Sequence, residues 1–157
     1  MSDSMIGQLK CSPVRRGLAL FVMMLLGFLL LYLVITTDGG LFQKVFLVIM
    51  ASVVLWMARA MQLGTKGYIE LRATGLFFED GRILAAIDDI IRVERGAFAF
   101  KPSNGFVVSL KQRTERAWVP GLYWKFGSRI GIGGVTVPSD AKFMADTLAA
   151  LIAKRAV

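Results

Sequence analysis

Four groups of residues invite a chemical reading. Asp88 and Asp89 are adjacent carboxylates, Glu79 and Asp80 form a second such pair, Gly131, Gly133 and Gly134 crowd residues 129–135, and residues 101–129 interleave cations with aromatic rings. Paired carboxylates share a proton or grip a metal only when both reach one point, and neighbours along a strand project to opposite faces. Both pairs therefore read as turn-forming and solubilising groups. The glycine cluster does not fit a dinucleotide fingerprint, which needs a third glycine three residues after the second and a helix starting at once. Here Gly133 is followed by Gly134 and by Val-Thr-Val, the pattern of a bent strand or bulge in a small barrel.

Two absences narrow the chemistry further. Cys11 is the single cysteine and there is no histidine, which removes intrachain disulfides, thiolate metal sites, Ser-His-Asp triads, Cys-His dyads and nearly all zinc sites. No catalytic, cofactor-binding or metal-ligating set emerges, and the chain is not expected to be an enzyme. An enzyme would have to build its nucleophile or base from carboxylate, Lys or Tyr alone. Cys11 stands six residues before a long apolar run, where it is either a palmitoylation site or a bystander thiol.

The cation and aromatic stretch is the remaining candidate. It holds Lys101, Lys111, Arg113, Arg116, Lys125 and Arg129 against a single acid, Glu115, with Trp118, Tyr123, Trp124 and Phe126 between them. The candidate surface comprises Lys111, Arg113, Arg116, Trp118, Tyr123, Trp124, Lys125 and Arg129. Basic side chains attract anionic headgroups and Trp or Tyr favours the membrane interface, whereas Arg with aromatics equally suits a protein interface. The bland alternative is a solvated loop whose two tryptophans help to fill a core. Nucleic acid is not expected as a partner, because the chain reads as tied to a membrane.

That tie is legible in the composition. The 157 residues are 55% hydrophobic with mean hydropathy +0.60, above the usual apolar share of about 45 to 50%. The excess is concentrated in residues 17–63, leaving about 90 residues for one small core. Residues 17–37 contain no charge and suffice to span the ~30 Å hydrocarbon layer as a helix; the run is too long for a signal peptide and no small-residue cleavage site follows. Residues 41–63 form a second segment whose uncharged centre, 45–58, is flanked by Lys44 and Arg59. Long basic side chains extend to the headgroups, which lengthens its effective span, and Trp56 fits an interfacial aromatic; a surface or soluble-core helix is the alternative. Asp38-Gly39-Gly40 gives a tight connection, so the two segments form a transmembrane hairpin. Gly27, Ala51 and Ser52 are the small residues expected at the helix contact.

The net charge of +8 divides evenly, residues 1–66 carrying six Lys/Arg against two Asp and the rest thirteen against nine. Lys10, Arg15 and Arg16 precede the first segment and Arg59, Lys66 and Arg72 follow or end the second. This bias places both termini in the cytoplasm.

Past residue 63, short β-prone runs alternate with turns. Strands are expected over 67–73, 76–78, 83–87, 90–100, 106–112, 117–120 and 129–137, with an Asp-Gly hairpin turn in 79–82 and a turn in 101–105. A helix over 139–155 follows, with Ser139 as N-cap, Phe143, Thr147, Leu148, Leu151 and Ile152 on one face, and Lys154 and Arg155 at its negative end. The organisation is thus an N-terminal segment 1–16, a helical hairpin 17–63 and a β-rich domain 64–157 with a C-terminal capping helix, an α+β membrane protein.

A meander of about seven strands closed by one amphipathic helix resembles the pleckstrin-homology-like (PH-like) fold. The residues LRATGLFFEDGRILAAIDDIIRVE, 71–94, are similar to the opening hairpin of bacterial membrane-anchored PH-like proteins, where a T-x-x-G-L hairpin leads to a W-x-D-I strand start. Ala86-Ile87-Asp88-Asp89-Ile90 stands at that place without the tryptophan. The resemblance covers roughly residues 66–155 and implies a PH-like barrel or sandwich beside a pair of transmembrane helices in the bacterial inner membrane. Because that fold carries many unrelated functions, the expectation stops at a non-catalytic, membrane-tethered interaction module: an accessory subunit or scaffold of a membrane protein complex, or a domain sensing anionic lipid.

Overall fold

A computed structural model describes residues 4–95 and 102–155. Two helices of 24 residues each, α1 (Pro13–Thr36) and α2 (Leu41–Gly64), are long and apolar enough to cross a membrane. Pro13 opens α1 at a position where its missing N–H costs nothing, and the break at 37–40 comes where Gly39 and Gly40 interrupt the apolar run. Only 11% of the most apolar stretch of α2 is buried, so the rest of the described chain leaves most of its apolar surface uncovered. The pair packs where residues are small: Gly27, Ala51 and Ala58 are buried, and a Cβ on Gly27 would lie 2.5 Å from Leu55 Cδ2. Ser52, expected at this contact, is exposed and donates its hydroxyl to the Val48 carbonyl.

The remaining residues build two antiparallel sheets. The first has the order β1 (Met5–Leu9), β2 (Ile69–Arg72), β3 (Gly75–Phe78), β4 (Ile83–Ala86). β1 has no counterpart in the sequence-based expectation for residues 1–16; it pairs with β2 so that Leu9 faces Ile69, and Leu9 is fully buried. The helical hairpin is therefore the connection between two neighbouring antiparallel strands. The β2–β3 and β3–β4 hairpins fall where Thr74-Gly75 and Asp80-Gly81 predict turns; Gly75, at φ +149°, has no room for a Cβ beside the Ala85 carbonyl.

A 3₁₀ turn, Ile87–Asp89, leads into the second sheet, in the order β5 (Ile90–Glu94), β6 (Phe106–Leu110), β9 (Arg129–Ile132), β8 (Tyr123–Phe126), β7 (Ala117–Val119). The far half of the strand expected over 90–100, together with Lys101, lies outside the described residues. The expected plain meander is not what forms: β9 inserts between β6 and β8. Glycine makes the insertion fit, since a Cβ on Gly105 would fall 1.9 Å from the Ile132 carbonyl oxygen and one on Gly133 2.6 Å from Gly105 Cα. β9 also stops at Ile132, because Gly133 and Gly134 turn at positive φ.

α3 (Pro138–Arg155) closes the domain, lying against β1, β5 and β6. Its buried face is Ala141, Met144, Ala145 and Leu148, with Leu151 and Ile152 packed beside them. Phe143 is 54% exposed, its ring close over Gly7. Pro138 already belongs to the helix, so Ser139 sits in the first turn and the Val137 carbonyl accepts the first bond, from Ala141. The Arg155 guanidinium pairs with Asp88, tying the end of α3 to the 3₁₀ turn.

Candidate functional site

The cation and aromatic stretch becomes the edge of the second sheet, and pairing sorts its side chains by face. Trp118 stands opposite Trp124, Trp124 opposite Gly131, and Phe126 opposite Arg129. Since paired residues share a face and alternate residues return to it, Arg116, Trp118, Trp124, Phe126 and Arg129 lie together on the outer face. Trp118 and Phe126 are 53% and 61% exposed, and the Arg116 guanidinium lies 4.9 Å from the centre of the Phe126 ring. Trp124 is half-buried: its indole covers Gly131, where a Cβ would meet the ring at 2.2 Å. Arg116, Trp118, Trp124 and Phe126 line a shallow hollow of about 470 Å³, to which Ala117 and Lys125 also contribute atoms.

Tyr123 and Lys125 take the opposite face. Tyr123 is buried and meets Phe78 edge-on, with ring centres 5.9 Å apart. Burial raises its phenol above the usual range, and Asp80 adds to this while Arg82 opposes it. Lys125 stands between Ala117 and Ile130 in the register, and burial, assisted by Arg82, lowers its ammonium pKa. These two residues belong to the contact between β8 and the β3–β4 turn. In that turn Asp80 accepts from the Arg82 backbone N–H at 3.0 Å and pairs with its guanidinium at 2.6 Å, which holds the carboxyl below its usual range.

The loop cations do not join the outer face either. Lys111 follows β6, its backbone N–H donating to the Asp89 carbonyl at 2.8 Å, and lines a separate hollow with Asp88 and Arg155. Arg113 is exposed within the same loop. Of the eight residues expected to form one surface, four are brought together: Arg116, Trp118, Trp124 and Arg129. Phe126, left out of that set, completes the patch; its signal was its position two residues after Trp124. No protein-family model, curated protein or solved structure matches this chain.

The patch lies close to the helices. A Cβ on Gly64, the last residue of α2, would come within 2.3 Å of Val119 Cγ1, and one on Gly121 within 3.1 Å of Met61 Cε and Thr65 Cγ2. The β7–β8 turn thus rests on the end of α2. Arg16, at the start of α1, donates to the Gln62 carbonyl at 3.0 Å, fastening the two helices at the same level. The adjacent carboxylates are used structurally: Asp80 caps a turn and Asp88 pairs with Arg155. Among the described residues no group of three or more Cys, Asp or Glu could hold a metal ion.

Proposed function

We propose that this chain is a non-catalytic interaction module of the bacterial inner membrane, an accessory subunit or scaffold that presents the Arg116, Trp118, Trp124, Phe126 and Arg129 face to a membrane protein partner. The observation that carries this is the double attachment of the β domain. Both ends of the helical hairpin enter adjacent paired strands, and the β7–β8 turn rests on α2, so a hairpin that spans the bilayer keeps the exposed aromatic edge near the membrane surface. Exposed Trp and Phe next to Arg on a rigid hairpin is the composition of an interface centre. The two antiparallel sheets and closing helix are compatible with a PH-like fold, from which the insertion of β9 is a departure. The basic flanks of the hairpin favour a cytoplasmic position for both termini.

A second reading is favoured by the contact of Gly64 with Val119: an edge strand so near the helix end brings Trp118 within reach of anionic headgroups. Purification of the tagged full-length protein in mild detergent, followed by mass spectrometry, separates the two. A stoichiometric membrane protein that is lost from the Arg116→Ala, Trp118→Ala double variant supports the subunit reading. A lone protein shifts the role of this face to lipid.

A further inference from the structure

The end of the helical hairpin nearest the β domain carries a trough of about 420 Å³ lined by Leu20, Met24 and Phe28 of α1 and by Leu55, Ala58, Arg59 and Gln62 of α2. The three α1 residues repeat every four positions and so form one continuous ridge, about 12 Å long from Leu20 to Phe28. Small Ala58, buried against α1, leaves the trough its depth. One wall is apolar throughout; the other ends in a cation and an amide.

Arg59 is the unusual member. It is exposed and, among the described residues, has no ion pair. The sole acid between residues 13 and 64 is Asp38, in the turn at the opposite end of the helices. A guanidinium one turn inside an apolar span extends to the interface, the level at which lipid phosphates lie. Arg16, bonded to the Gln62 carbonyl, places a second positive charge at the mouth of the same trough.

We propose that this trough binds one anionic phospholipid, its phosphate on Arg59 with Arg16 nearby and one acyl chain lying along Leu20, Met24 and Phe28. The site rests on the hairpin spanning the bilayer. The lipid supplies what the described residues do not: an anion at the depth of Arg59 joined to an apolar tail that fills the hollow below it. Guanidinium pairs with the phosphate of either lipid class; the preference for net-negative over zwitterionic headgroups comes from the two positive charges of Arg59 and Arg16, which favour a phosphate whose charge no quaternary ammonium offsets.

The test uses the full-length chain. Source membranes are first washed with alkaline carbonate, and the protein is then purified in neutral detergent and titrated with dioleoylphosphatidylglycerol or dioleoylphosphatidylcholine under native mass spectrometry. The expected result is retention through the wash, one phosphatidylglycerol per chain, and about fivefold tighter binding of it than of phosphatidylcholine. Arg59→Gln should erase that preference, Arg59→Lys should keep most of it, and Leu20→Trp, which fills the trough, should weaken both lipids. Equal binding of the two lipids by the unmodified chain would mean annular lipid only and overturn the site. So would a preference that survives Arg59→Gln, or a photoreactive group at Met24 that captures a second polypeptide instead of lipid. Release by carbonate would overturn the spanning hairpin itself, a failure distinct from loss of lipid preference.

Discussion

Lys125 shows how one residue changes meaning when its neighbours are known. In the sequence it is one cation among six; in the fold it is half-buried on the side-chain face opposite Trp124, where burial, assisted by the charge of Arg82, lowers its pKa. Its charged form is therefore disfavoured in the folded state relative to the unfolded chain. Below its depressed folded pKa that cost is present in full, and as pH rises from there toward the ordinary lysine value the unfolded chain holds more protons than the native one, so stability increases. Tyr123, whose pKa is raised, opposes this only above its own ordinary value of 10.0, so the window lies below that. Lys125→Met keeps the stem and removes the charge: the variant should melt higher than the parent at neutral pH, with the gap narrowing as pH approaches 10. Melting of the full-length protein in detergent across that range reads it directly, and a gap that widens with pH would contradict the assignment. Residue types alone marked Lys125 and Trp118 as one surface, because alternation along a three- or four-residue strand is too short to read without its register.

At the scale of elements, legibility follows length. α1 and α2 are plain because each carries many consecutive apolar residues, α3 because its apolar residues recur on one face, and hairpins are plain where Asp-Gly or Thr-Gly forces a turn. β1 was not, since five residues with one buried side chain carry no alternation and Gly7 weakens even that. β8 was hidden for another reason: Tyr123 to Phe126 looks like a run of functional side chains before it looks like a strand. The helix contact divides the same way. Gly27 and Ala51 are buried and Ser52 is not, a distinction that depends on the rotation of α2 about its axis. Gly27→Leu drives its side chain into Leu55 and should loosen the hairpin, lowering the thermal midpoint in detergent and costing an amount of stability typical of overpacking, about 1 to 3 kcal/mol. Ser52→Leu, on the outer surface, should leave the stability within about 0.5 kcal/mol of the parent and the midpoint nearly unmoved. Equal effects of the two would place the contact elsewhere.

At the scale of the whole molecule, the pairing of β1 with β2 makes the helical hairpin an insertion into the β domain and not a leash in front of it. The sequence presents an anchor followed by a domain because the partner of β2 comes some sixty residues before it, across the most conspicuous feature of the chain. Two consequences follow for any soluble version. A fragment beginning at residue 65 lacks Leu9, which is fully buried, and exposes the edge of β2, so it loses a core side chain worth about 2 to 5 kcal/mol and gains an unpaired strand prone to association. Replacing residues 13–64 by a short glycine and serine linker instead keeps β1 in place, because Leu9 and Ile69 are opposite each other in the ladder and paired strands lie only ~5 Å apart. The linked protein should be monomeric and melt cooperatively, while the fragment 65–157 should aggregate or melt without a sharp transition. Introducing Leu9→Ala into the linked protein should lower its stability by the same 2 to 5 kcal/mol. If the fragment and the linked protein melt alike and Leu9→Ala changes nothing, β1 contributes no pairing; a sharp difference means that β1, from before the helical hairpin, and the strands after it are one folding unit.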